Sequence, residues 1–220
     1  MLLQCETEDG AADEGTDLAG WLRPGTLESL VELNELCLGL LAEQAAARTT
    51  QVSPLLRQVE ELLLDAAARR RAAACPYLLL DAGFADPLRW RRPAALGVGD
   101  TGHAAYTTFF TVPGATEVAR LVFTYAWHLA RSQSAAARLL LGMPAPCAAL
   151  IGHHSLRQIH ALAETHPEWL KPRWPARVQV WRELLLAAAA GEAAALERAR
   201  LHGLTLLAAE VRGALPERPV

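Results

Sequence analysis

Histidine and cysteine are the side chains in this sequence whose chemistry would be easiest to recognise from their spacing. A helix binds a metal ion through two histidines three or four residues apart, because both rings then share one face. No pair in the second half of the chain has that spacing. Five of these histidines lie close enough to be considered together: His128, His153, His154, His160 and His166. The four cysteines are also too far apart for a zinc site or a redox dithiol. They are Cys5, Cys37, Cys75 and Cys147. We therefore expect no metal and no cofactor.

The motifs of common enzyme classes are missing or stand in the wrong context. The nucleophile motif G-x-S-x-G does not occur. Gly97, Gly99 and Gly102 form a G-x-G-x-x-G pattern, which in a dinucleotide-binding fold follows a strand and begins a helix. Here a short Pro-Ala-Ala-Leu run precedes it and a Thr/Phe-rich run follows it. We interpret the pattern as a loop and predict that the protein is not an enzyme.

Composition and charge narrow the class of protein further. The chain has 220 residues, of which 52% are hydrophobic, and a formal net charge of −3. This length suits either one sizeable helical core or a main domain with a short appendage. The first 22 residues contain six acidic residues and no basic one, so we predict a disordered acidic tail over 1–24 rather than a signal peptide. No apolar stretch approaches the roughly 20 residues that cross a bilayer. We expect a cytoplasmic protein without membrane insertion.

Apolar residues at helical spacing recur through the rest of the chain and predict an all-α protein. We expect an irregular multi-helix bundle with one long irregular segment at about 92–115. A linker or loop over 93–115 would divide an N-terminal helical half, residues 25–92, from a C-terminal half, residues 116–215. The predicted helices cover 27–48, 54–74, 86–90, 117–131, 134–141, 146–152, 156–164, 176–190 and 192–213. Residues 77–83 form either a buried helix or a short strand.

Capping residues predict where these helices begin and end. The expected N-caps are Thr26, Ser53, Thr116 and Ser155. Pro54 suits the first position of its helix, since its missing N–H would have no partner there. Gly142 is expected to end the helix before it, and Gly203 to interrupt the last helix.

Basic residues are concentrated between positions 128 and 182. This stretch has seven lysines and arginines but only two acids, Glu164 and Glu168. Arginines on a helical surface can contact phosphates. The candidates for DNA or partner binding are Arg138, Arg157, Lys171, Arg173 and Arg177. Two alternatives stay open: a solvated basic face, or a basic face against which the acidic tail folds.

Residues 134–164 partly fit a helix-turn-helix. Gly142 would be the turn glycine and 146–152 the following helix. However, Arg138 stands where a small residue is expected, Ala137 is one place too early, and Pro144 and Pro146 crowd the turn.

One window within this stretch joins a Leu-Gly-Met helix stop to a Ser-Leu-Arg-Gln cap and a helix ending in Leu-Ala-Glu. In this pattern it resembles the FlhD family of flagellar transcriptional activators. The matching positions are Leu141, Gly142, Met143, Ser155, Leu156, Gln158, Leu162, Ala163 and Glu164. This resemblance covers about 30 residues, 135–164. It implies an all-helical protein that self-associates, joins a partner subunit and acts on promoter DNA.

Three tryptophans beside a proline-rich connector suggest a different kind of binding. Trp169, Trp174 and Trp181 could anchor a protein partner, because interfaces favour tryptophan. Alternatively they pin the connector to the core. The Trp-Leu-Lys-Pro-Arg-Trp run after a Leu-Arg-Gln-Ile helix is somewhat similar to the SctK-type accessory proteins of type III secretion systems, which are adaptors.

From these patterns we expect a non-enzymatic helical transcriptional regulator that binds DNA, a partner subunit, or both. The partner would be another protein subunit or a second copy of this chain. The alternative is a protein–protein adaptor or secretion-system accessory protein.

Overall fold

Leucine- and alanine-rich runs form ten α-helices within the described residues of this computed structural model, which are 22–47, 53–91 and 108–213. The helices are α1 (Thr26–Ala46), α2 (Pro54–Val59), α3 (Ala66–Ala73), α4 (Pro87–Arg91), α5 (Ala115–Ser132), α6 (Ser134–Leu141), α7 (Ala145–His153), α8 (Leu156–Thr165), α9 (Val178–Ala190) and α10 (Ala193–Gly213). The predicted all-α, multi-helix fold is confirmed. The acidic tail lies almost wholly outside the described residues, as does most of the irregular segment, 92–107.

Two groups of helices share one hydrophobic core. Helix α5 packs against α6, α7 and α8, whereas α9 packs against α2, α3 and α10. Helix α1 contacts both groups, through α3 and through α5. The core cluster therefore draws on residues from both predicted halves. The division of the chain at 93–115 stays a prediction. None of the described helices is by itself long and apolar enough to cross a membrane.

The chain between α3 and α4 is extended rather than helical. Strand β1 (Leu80–Asp81) pairs antiparallel with β2 (Lys171–Pro172), so the strand alternative for 77–83 is the correct one. Extended backbone inside a core leaves peptide groups that need partners. The fully buried Asn34 side chain supplies some of them. Its amide donates to the carbonyls of Ala73 and Tyr77, each at 3.0 Å, and accepts from the Leu79 N–H at 2.8 Å.

The Arg173 side chain supplies further partners from inside the protein, where this residue is only 3% exposed. Its guanidinium donates to the carbonyls of Leu78 (2.9 Å), Leu80 (3.2 Å) and Leu141 (2.9 Å). It also lies 3.4 Å from the carboxylate of Glu210 on α10. One side chain thus joins the extended segment, the last residue of α6 and the C-terminal helix.

Several predicted helix boundaries are confirmed by local hydrogen bonds. The Ser53 hydroxyl accepts from the Leu55 N–H at 3.3 Å, and Ser155 forms a reciprocal capping box with Gln158. Gly142 adopts a left-handed conformation, with φ of 66°, directly after α6. The sequence signal is sufficient at these positions because the cap and its partner are neighbours in the chain.

Three boundary predictions are wrong. Thr26 is the first helical residue rather than the cap, and its hydroxyl accepts from Gln133 Nε2 at 3.0 Å. Thr116 lies inside α5, which begins at Ala115. The predicted helix 54–74 is divided in two, because the Asp65 carboxylate accepts from the Ala67 N–H at 2.8 Å and caps a separate α3.

Gly203 does not interrupt α10, which is continuous from Ala193 to Gly213. A Cβ at position 203 would overlap the hydroxyl and ring of Tyr77. This glycine therefore allows close packing of α10 on the extended segment.

Replacing Arg173 by methionine should lower the free energy of unfolding by about 3–5 kcal/mol, because three buried carbonyls and a carboxylate would lose their partner. Urea unfolding measures this. Arg177→Met is the matched control, since Arg177 is exposed and should change stability by about 0.5 kcal/mol or less. Equal midpoints for the two variants would contradict the role given to Arg173.

Alanine at two helical glycines should have opposite effects. Gly203→Ala should destabilise by about 1–3 kcal/mol through overlap with Tyr77. Gly39→Ala should stabilise by about 0.5–1 kcal/mol, because nothing lies within 4 Å of the added methyl group and alanine is the better helix former. Thermal unfolding of both variants distinguishes close packing from helix propensity: a loss at both positions would rule out the propensity argument.

Candidate functional site

A groove lies between α6 and α10 and is referred to below as the α6/α10 groove. Its volume is about 540 Å³. The α6 wall uses positions spaced by three and four residues, so its side chains share one helical face. The α10 wall uses the same kind of spacing. The lining residues are Ala135, Arg138, Leu139, Leu204, Leu207, Ala208, Val211 and Arg212.

The groove arises because α6 buries only one of its faces. Ala136, Ala137, Leu140 and Leu141 point into the core. Leu139 lies on the opposite face and is 57% exposed. The floor contains Leu207, which packs closely under Gly142 and is almost fully buried. An apolar groove of this volume can accept apolar side chains of another molecule.

Positive charge flanks this apolar floor. Arg138 and Arg212 are both exposed lining residues, and the Arg212 Nε donates to the Ala208 carbonyl at 3.3 Å. The acid nearest in sequence on α10 is Glu210, which already contacts Arg173 at 3.4 Å and the Trp174 indole N–H at 2.5 Å. The groove therefore combines an apolar floor with cationic edges.

The five basic candidates do not form one surface. Arg138 lines the groove, while Arg157 and Arg177 are exposed near the first turns of α8 and α9. Lys171 is partly exposed and lies 3.4 Å from the Asp81 carboxylate. Arg173 is in the interior, which corrects its assignment as a surface contact. Burial alone would raise the pKa of Asp81, but Arg173 and Lys171 bring it below the usual value, so this acid is a charged partner inside the fold.

The three tryptophans serve the core, as the second interpretation of the connector proposed. Trp169 is 7% exposed and its ring stacks on His166 with centroids 4.6 Å apart. Trp181 is 2% exposed and donates its indole N–H to the Arg173 carbonyl at 2.7 Å. Trp174 is partly buried, with its ring 5.8 Å from that of Tyr77. Trp169 and Trp181 are therefore not available as exposed anchors.

Burial favours the neutral forms of two thiols and one histidine in the interior. Burial raises the pKa of the Cys75 and Cys147 thiols to about 11 and keeps them unreactive. Burial also lowers the pKa of His154, whose Nε2 lies 3.1 Å from the Trp90 carbonyl. Among the described residues no three histidines, cysteines or acids are placed to hold a metal ion.

Sequence reasoning missed most of the groove. It selected Arg138 for its charge but not the apolar residues beside it or Arg212. One signal was present: Leu204, Leu207 and Val211 form a stripe on α10 at helical spacing. Periodicity alone cannot say whether such a stripe is covered by the fold, because the answer depends on where α6 lies.

The chain matches no protein-family model, no curated protein and no solved structure in the three comparisons that were made.

Proposed function

We propose that this chain is a non-enzymatic helical adaptor that binds a segment of another protein subunit in the α6/α10 groove. The observation that carries the proposal is the exposed Leu139 beside an apolar floor, between Arg138 and Arg212. Buried thiols and a neutral interior histidine are consistent with a protein that works by binding.

The groove fits an amphipathic helix better than an extended strand. No sheet edge borders it, since its two walls are helices, so a partner would gain little from backbone pairing. The apolar floor between the two helical walls would instead accept leucine-like anchors at helical spacing. Covering a leucine side chain contributes about 1.5–3 kcal/mol. The two arginines would favour acidic residues at the edges of the bound segment and speed association with it.

An aspartate at position 139 should abolish partner capture. The native host is the source of the partner, and the protein retained by a tagged full-length chain is quantified by mass spectrometry. Leu139→Asp should reduce the retained partner by at least about tenfold, as expected for an anchor at the centre of an interface. Leu201→Asp is the matched control, because Leu201 is similarly exposed on α10, at 53%, but does not line the groove.

Retention of the same partner by both variants would contradict the proposal. Sedimentation of the purified chain adds a second readout, since a partner that is a second copy would appear as a dimer lost in Leu139→Asp alone.

DNA binding is a second candidate, supported by the arrangement of α6 and α7. A three-residue turn with a left-handed Gly142 joins them, and their directions differ by 119°, as in a helix-turn-helix. The outward positions of α7 include Ala145, Pro146 and Ala149, which donate no hydrogen bonds to base edges. A regulator of the FlhD-like kind proposed from the sequence would therefore contact phosphates, through exposed Arg138, Arg157 and Arg177.

This candidate predicts salt-dependent binding to duplex DNA. In a gel-shift assay with a mixed-sequence duplex, affinity should fall steeply with salt, and Arg157→Ala should reduce the salt slope by about one. Arg198→Ala, an exposed arginine on α10, should leave the slope unchanged. If no complex forms at low salt, either alone or with the product of the neighbouring gene, the DNA-binding candidate is wrong.

A further inference from the structure

The chain enters the described fold beside one wall of the α6/α10 groove. Leu22 packs against the core, and the Arg23 N–H donates to Gln133 Oε1 at 2.8 Å. Gln133 directly precedes α6, and its side-chain Nε2 donates to the Thr26 hydroxyl at 3.0 Å. Ala135, the first groove residue of α6, comes two residues later, roughly 3 Å along the helix axis. Residues 1–21 are therefore attached next to the groove.

Length does not limit where this segment can bind. Twenty-one residues reach at most about 70 Å when extended, whereas a helix of the length of α6 measures about 12 Å. Because the segment is tethered so close to the groove, its effective concentration there is on the order of millimolar, which is enough for a weak contact to form.

The segment and the groove are complementary in charge and in apolar character. Residues 1–21 carry no lysine or arginine. Their acids are Glu6, Glu8, Asp9, Asp13, Glu14 and Asp17. Leu2, Leu3 and Leu18 supply apolar side chains of the kind that the floor would accept. The same groove of a second molecule would be a poorer occupant than this segment, because the arginines at positions 138 and 212 of the two molecules would repel each other.

We propose that residues 1–21 bind in the α6/α10 groove of their own chain, with leucines on its floor and carboxylates against Arg138 and Arg212. An external partner must then displace the segment, so the groove admits only a ligand that binds more tightly than the tethered one. This regulatory consequence rests on the proposed adaptor function, whereas the binding of the segment itself does not.

Photo-crosslinking in the full-length chain tests the proposal directly. 4-Benzoylphenylalanine replaces Leu139 in one protein and Leu201 in the control, and the crosslinked peptides are mapped after irradiation of a dilute sample. The two leucines are similarly exposed, at 57% and 53%. We expect crosslinks within one chain from position 139 to residues 1–21, at several times the yield from position 201.

Charge reversal separates a specific contact from random encounter. In the protein labelled at 139, Arg138→Glu with Arg212→Glu should lower the crosslink yield about fivefold, as expected for the loss of two exposed ion pairs. Arg198→Glu should leave it unchanged. Three outcomes would each overturn the proposal. The yields from positions 139 and 201 could be equal, the crosslinks could go to residues 214–220 or to a second molecule, or the yield could stay the same after the charge reversal.

The two proposals fail separately. If Leu139→Asp abolishes partner capture but residues 1–21 never crosslink to position 139, the groove binds a partner without internal competition. If the segment crosslinks but partner capture does not depend on Leu139, the intramolecular contact stands and the adaptor function falls.

Discussion

The buried guanidinium of Arg173 is the interaction on which the arrangement of the C-terminal helices depends. A charge taken out of water is tolerated only when its hydrogen bonds are satisfied in the fold. Arg173 meets this condition with three carbonyls and the Glu210 carboxylate. Because one carbonyl belongs to Leu141 at the end of α6 and the carboxylate belongs to α10, the same bonds fix the two walls of the groove relative to each other.

Close packing reinforces this polar junction. Leu207 of α10 lies directly under Gly142, and Gly203 lets the Tyr77 hydroxyl approach the α10 backbone. Both contacts require glycine, in one case for a positive φ and in the other for space. Helix α10 is therefore held along a line from Gly203 to Glu210. The next turn, with Val211 and Arg212, reaches the end of the described helix and forms one edge of the groove.

Structural features that depend on contacts between neighbours in the chain could be predicted from the sequence. Features that depend on contacts between distant residues could not. Ser53, Gly142 and Ser155 act through partners within a few residues, so their boundaries could be predicted. Arg173 could not be placed, because its carbonyl partners lie 32 to 95 residues away. Threonine is ambiguous for the same reason, as the hydroxyl of Thr26 accepts from Gln133 across the fold. The groove depends on such long-range placement, and Arg138 is the one lining residue that was selected from the sequence.

The basic residues between 128 and 182 are divided between the interior and the surface. The buried Arg173 donates hydrogen bonds to three backbone carbonyls and pairs with the Glu210 carboxylate, so its guanidinium is not a surface contact for DNA. Arg138 stands in water beside Leu139, where a charge adds little to folding stability and an exposed leucine adds nothing. A residue pair that does little for the fold but combines apolar area with charge is suited to recognising an acidic, amphipathic segment. The net charge of the chain is nevertheless negative, because residues 1–21 contribute six acids, and an internal competitor for such a site would need the same chemistry.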